Sequence, residues 1–157
     1  MYIIAIIIYA MAVVFLLGFG NGGTSLWNYV DLPSILVIIM ITVPMLAAAG
    51  VLGDMKKIFH FAVTKPGKSS YSIWELKKML EAIKLTTRLL GAAGVSGTLI
   101  GILSWLHKLS DLASIGINLS VTLLCVFYAF FGIVFFAPIE TKIKNAIINK
   151  EEEQANE

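Results

Sequence analysis

The sequence predicts an all-α integral membrane protein with four transmembrane helices. Only 14% of its 157 residues are charged, against roughly 25% in soluble domains. Four stretches, 2–19, 33–52, 89–106 and 112–137, contain no Asp, Glu, Lys, Arg or His. Each reaches the length of about 18 residues or more that a helix needs to cross about 30 Å of hydrocarbon. The basic residues are also segregated. None precedes Lys56, eight of the twelve lie from Lys56 to Arg88, and three more follow at Lys142, Lys144 and Lys150. The positive-inside rule then puts the 54–88 segment and the C-terminal tail on the cytoplasmic side of the membrane, with both termini inside.

The elements follow in order. The first stretch has no Lys/Arg-rich start and no clean small-x-small cleavage site, so it reads as a retained helix, not a signal peptide. Gly20, Asn21, Gly22 and Gly23 make an external turn, and Trp27 and Tyr29 suit the interfacial aromatic belt. Asp31-Leu-Pro-Ser opens the second helix, with Pro33 in the first turn, where its missing N–H costs little. Pro44 sits inside that helix, removes a backbone bond and is expected to kink it. Residues 55–63, Met-Lys-Lys-Ile-Phe-His-Phe-Ala-Val, are expected along the inner membrane surface, apolar face down and lysines up. His60 reads as an interfacial polar group, because nothing near it in sequence completes a metal site.

Residues 65–70 form a loop, and Ser72-Ile-Trp-Glu75 fits a capping box. No Gly or Pro interrupts the chain from there until Gly91, so one helix should run over 73–107 with its membrane part at 89–106. At 1.5 Å per residue it is roughly 52 Å long and projects about 25 Å beyond the bilayer. The last helix should run over 112–150, with a membrane part at 112–137 and Pro138 just past it. In its amphipathic continuation Glu140 and Lys144 are an i,i+4 pair in the favourable order, and 151–157 reads as a frayed acidic end. There is no internal repeat and no room for a separate soluble domain, so the chain is a single membrane domain.

Small residues crowd the third membrane helix, and Gly94, Gly97, Gly101 and Ser104 recur at helical spacing. Membrane helices approach closely along such stripes. A four-helix chain has little need of so narrow a seam internally, so the stripe is expected to face neighbouring subunits. Thr98 is the polar residue on it, and Asn118, Thr122, Cys125, Ala129 and Gly132 fall near one face of the last helix. A helical Thr hydroxyl can simply bond its own i−4 carbonyl, which is the plain alternative to a role in an ion path. Ion pathways normally use intramembrane ionisable groups. This chain has none, so any carboxylate must come from another subunit. No nucleophile–base set, phosphate-binding loop or metal-spaced His/Cys/Asp cluster is present, so no enzyme activity, cofactor or metal is expected. The single Cys125 cannot form an internal disulfide. The juxtamembrane lysines suit anionic lipid headgroups better than nucleic acid.

The run Gly94-Val-Ser-Gly97-Thr98-Leu-Ile-Gly101, then Leu109–Gly116, then Phe127-Tyr128-Ala-Phe-Phe-Gly, then Pro138-Ile-Glu-Thr-Lys142, resembles the last two helices of the MotA/TolQ/ExbB proton-channel family. Gly18-Phe-Gly20, Gly22-Gly23 and Asp31-Leu-Pro33-Ser34 resemble the first two helices of its MotA branch. The resemblance implies a homopentameric stator subunit around a single-helix partner similar to MotB, ExbD or TolR. That partner would carry the proton-binding Asp, and flow of H⁺ or Na⁺ would be coupled to mechanical work. It further implies that Thr98 lines the ion path with Thr122 and Cys125, that Gly94, Gly97 and Gly101 pack helices, and that Pro138 is a hinge. Cys125 and Val126 stand where the family has a Thr-Thr pair, Gly91 stands where it has a proline, and the large MotA cytoplasmic insertion is absent. The alternative readings are a non-conducting four-helix scaffold or accessory subunit of another membrane complex and, more distantly, a small-solute transporter subunit, although the chain lacks inverted repeats.

Overall fold

The computed structural model describes residues 2–19, 30–63, 71–106 and 112–156. They form five α-helices: α1 (Tyr2–Phe19), α2 (Leu32–Ala48), α3 (Leu52–Val63), α4 (Ile73–Leu106) and α5 (Leu112–Ala155). The protein is all-helical over these residues. The expected external turn, with Trp27 and Tyr29, and the 65–70 loop lie outside them.

The two long helices α4 and α5 pack against each other as an antiparallel pair, and the others lean on that pair. Both are long and apolar enough to cross a membrane, and α2 with α3 makes a third such apolar pair, bent at 106°. This is the arrangement of a membrane protein with two or three candidate spans. α1 is apolar but shorter in its fully described part, Ile4–Phe15. Its Tyr9 ring lies 5.1 Å from that of Phe131 on α5, and it also approaches α3.

The start of α2 follows the sequence closely. Asp31 is the N-cap, and its carboxylate accepts the Ser34 N–H at 2.9 Å, with Pro33 in the first turn. The Asp31 N–H donates to the Tyr128 hydroxyl at 2.9 Å, which ties this end of α2 to α5. Its other end differs from expectation. The second helix does not run to 52 but stops at Ala48. Gly50, at φ 70°, donates to Ala47 O at 2.9 Å, and Val51 N–H donates to Leu46 O at 3.2 Å. This is a Schellman closure, which requires the left-handed conformation that glycine adopts without a Cβ penalty. Pro44 remains inside the helix, so the main change of direction comes from Gly50.

Beyond that corner α3 folds onto the ends of α4 and α5 that carry the basic residues. Ile58, Phe61, Leu76, Met79, Ile83, Ile139 and Ile143 form the largest buried core there. Four tethers fix α3. Lys57 pairs with Glu75 at 3.0 Å. The Thr86 hydroxyl donates to Ala82 O at 2.8 Å and lies 3.7 Å from the Met55 sulfur. The Tyr71 hydroxyl lies 3.2 Å from His60 Nδ1. The Lys142 ammonium donates to the carbonyls of Phe61 and Ala62 at 2.7 and 3.0 Å, which satisfies backbone acceptors that the end of α3 would leave open. Partial burial lowers the Lys142 pKa below the usual lysine value.

The capping box closes as the spacing predicts: Glu75 N–H donates to Ser72 Oγ at 3.2 Å, and Ser72 N–H to Glu75 Oε2 at 3.1 Å. The far end of α5 departs from expectation in two ways. Among the described residues Glu140 and Lys144 make no ion pair, and the cation that works here is Lys142, which the helix turns towards α3. The helix also continues to Ala155 through the acidic run, because Glu151 pairs with Lys77 at 2.7 Å across the α4–α5 pair.

The Lys57–Glu75 tether predicts a pH response. Hydrogen bonds from Lys57 and from the Ser72 N–H hold the Glu75 carboxyl below its ordinary value of 4.5, and Glu75 in turn raises Lys57 above 10.5. A depressed carboxyl contributes stability that is present above its unfolded pKa and lost as pH falls through the folded one. A raised lysine contributes stability present below its unfolded pKa and lost as pH rises through the folded one. Amide protection of 55–62 should therefore hold through neutral pH and fall below about 4.5, and Glu75→Gln should abolish that acid-side change in hydrogen exchange. An unchanged acid-side fall in the variant would remove this pair as its cause.

Candidate functional site

The residues singled out on the two long helices meet at one contact. A Cβ at Gly101 would stand 2.7 Å from Thr122 Oγ1, and one at Gly97 would stand 3.0 Å from Cys125 Sγ. A Cβ at Gly94 would collide with that of Ala129 and lie 3.3 Å from Cys125 O. The glycine stripe is thus filled from within the chain by α5. The expectation that it faces neighbouring subunits is corrected: with these side chains of α4 reduced to hydrogen, α5 lies against α4 at all three glycines, and Val37 of α2 also comes within 3.3 Å of a Cβ at Gly97. Ser104, which continues the spacing, is exposed and donates to Ile100 O at 2.8 Å.

The polar residues divide by position. Thr122 and Cys125 are 6% and 5% exposed and turn into the α4–α5 contact. Thr122 Oγ1 donates to Asn118 O, four residues back, at 2.7 Å, which is the ordinary helical alternative. Thr98 is different. It is half-buried, and its hydroxyl donates across to Thr122 O on the other helix at 3.3 Å. It is the one candidate that both bridges the helices and keeps part of its surface outside, on a flank with exposed Val95 and Leu99. Pro138 lies inside α5, which continues past it. The proline has no N–H to give Val134 O, and Thr141 Oγ1 donates to Ala137 O at 3.2 Å in the next turn.

Above Thr122 the seam opens into a cleft of about 230 Å³ lined by Gly101, Ser104, Trp105, Asn118, Val121 and Thr122. Among the described residues the buried Trp105 Nε1 that borders it has no hydrogen-bond partner, and neither does buried Thr42 Oγ1 on α2. Sequence reading missed both, because an unpartnered donor becomes visible only once the helices are placed. A second cleft of about 340 Å³ lies beside the α2–α3 corner, between Gly50, Asp54, Trp74, Lys77, Lys78 and Glu81. The Lys78 ammonium sits 4.3 Å from the centre of the Trp74 ring. Among the described residues no group of three His, Cys, Asp or Glu could hold a metal ion.

No protein-family model matches the chain, and neither a curated protein nor a solved structure gives a significant match. What the site can do therefore rests on its own chemistry. Buried hydroxyls, a thiol and backbone carbonyls can accept or relay hydrogen bonds. They include no carboxyl, imidazole or amino group.

This geometry sets the stability effects of three substitutions. Gly94→Val should destabilise the protein by about 1–3 kcal/mol, the usual cost of overpacking, because backbone and Ala129 leave no space. Gly91→Ala should be tolerated, since a Cβ there meets only Ile133 Cδ1 at 3.7 Å. Thermal unfolding in mild detergent checks both, and equal effects would show that the seam is not tightly packed. Thr98→Val should cost only about 0.6 kcal/mol, the average for a hydrogen bond between membrane helices. A loss above about 2 kcal/mol by the same measurement would make Thr98 a structural linchpin.

Proposed function

We propose that this chain is a stator-type ion-channel subunit of the MotA/TolQ/ExbB kind. With a single-helix partner it couples flow of H⁺ or Na⁺ across the cell inner membrane to mechanical work. In this reading α1, α2, α4 and α5 are the four spans, the basic ends are cytoplasmic, and about five copies ring the partner with α4 and α5 towards it. The observation that carries the proposal is the α4–α5 pair itself. It is charge-free through its apolar part, yet it presents Thr98 half-exposed beside a sealed glycine seam. Such a wall suits an ion carrier brought by another subunit, and the resemblance supplies a partner with a membrane Asp. Because the seam is closed within one chain, the ion route in this reading runs along the outer flank of α4, past Thr98 and the cleft above Thr122. Cys125 stands behind it.

A second reading has a specific observation in its favour. Cys125 and Val126 replace hydroxyl-bearing residues of the resembling family, and Cys125 is buried against Gly97. A ring or bundle that positions another membrane complex without conducting would need nothing more.

One experiment separates the two. The chain is co-expressed with a single-helix partner carrying a membrane Asp and reconstituted in vesicles with a pH-sensitive dye. The stator reading expects co-purification as an oligomer, and proton flux that Thr98→Val lowers several-fold without disturbing assembly. Co-purification with no flux would leave the scaffold, and a monomer that never retains a partner would sink both.

A further inference from the structure

The α3 helix has three faces. At roughly 100° per residue, Ile58, Phe61 and Ala62 share one side, and they are 0%, 4% and 4% exposed against α4 and α5. Leu52, Phe59 and Val63 share a second side, at 42%, 46% and 66% exposure, flanked by exposed Lys56. His60 and Lys57 lie on the third. A helix that only capped the α4–α5 pair would have two faces, one buried and one polar. The exposed apolar facet is the surplus.

Its direction is fixed by contacts. The Phe59 ring lies 6.2 and 6.0 Å from the rings of Phe135 and Phe136, the last aromatics of the charge-free part of α5. Met55 meets Thr86, two residues before Arg88, the last charge on α4. So α3 crosses at the level where the apolar spans end, turned 106° from α2. It is held in that attitude by the Gly50 closure at one end and Lys142 at the other.

We infer that α3 is a built membrane-surface foot: Leu52, Phe59 and Val63 enter the acyl boundary of one leaflet, and Lys56 takes the phosphate of an anionic phospholipid there. The occupant is a lipid surface because the facet combines an apolar stripe with a flanking cation, the pattern of an interfacial helix. The height of the facet coincides with the end of the hydrocarbon spans. Neither partner helix nor nucleic acid answers both features. The inference rests on the membrane reading of α2, α4 and α5.

The test uses the full chain in bilayers of phosphatidylcholine with and without phosphatidylglycerol, in a Cys125→Ser background. Nitroxide labels are placed through Val63→Cys, through Gly53→Cys on the His60 side, where a Cβ meets nothing within 4 Å, and, as a control on α2, through Met40→Cys. The label at 63 should be accessible to oxygen and shielded from a water-soluble nickel chelate, the label at 53 should show the reverse, and the label at 40 should be deep. A deep label at 40 with equally wet labels at 53 and 63 would overturn the foot while leaving the membrane reading intact. A wet label at 40 would overturn both. For the charge, Lys56→Gln should lower preference for phosphatidylglycerol over phosphatidylcholine, read as co-purified lipid, by roughly fivefold, the equivalent of about 1 kcal/mol per basic residue at a surface. An unchanged ratio would remove Lys56 from the headgroup.

Discussion

The close approach of α4 and α5 is the constraint on which the rest of the fold depends. It exists because Gly94, Gly97 and Gly101 present no Cβ to Ala129, Cys125 and Thr122. In lipid there is little hydrophobic drive between apolar helices, so packing contacts and interhelical hydrogen bonds must hold them. A smooth glycine face maximises the first and brings Thr98 within reach of Thr122 O for the second. Once the two helices are antiparallel neighbours along their apolar parts, they remain neighbours beyond them. That continuity brings Ile83 and Leu76 together with Ile139, Ile143 and Ile147 in a core that behaves like a soluble one.

This core in turn dictates what α3 can do. Two helices leave an apolar groove between Leu76–Ile83 and Ile139–Ile147, and Ile58, Phe61 and Ala62 fill it. The polar groups around the groove are arranged to close over α3 with few loose ends: Lys142 on its last carbonyls, Glu75 shared between its own cap and Lys57, and Lys150 donating to Tyr71 O at 2.7 Å. Exposed ion pairs contribute little each. Their use here is to fix the rotation of α3, and therefore which of its faces is left outside.

Most of the architecture was legible in the sequence because membrane helices announce themselves by length and missing charge. The caps were legible too, since Asp31 before Pro33 and the Ser72–Glu75 spacing have a local cause. What was not legible is long-range. Gly50 looked like one more small residue in an apolar run until its positive φ ended α2. The Glu140–Lys144 pair satisfied a local rule, but the rotation demanded by Ile139, Ile143 and Ile147 brought Lys142 to α3 instead. At the candidate site, the sequence shows which small and polar residues share a helix face but not that α5 fills the glycine stripe. A stripe looks the same whether its occupant is the next helix or the next subunit.

The hydrogen-bond direction at Thr98 carries one more consequence for the proposed function. A backbone carbonyl can only accept, so the single hydroxyl proton of Thr98 is committed inwards to Thr122 O. Towards the exposed flank of α4, Thr98 therefore offers lone pairs and no proton. An acceptor in an apolar setting is matched by a protonated carboxyl, a hydronium or a partly hydrated cation, and it is mismatched with a bare carboxylate. In the stator reading, Thr98 favours the loaded form of a partner Asp over the empty one. That bias in which form binds the wall is what a carrier needs if it is to move on once it has released its ion.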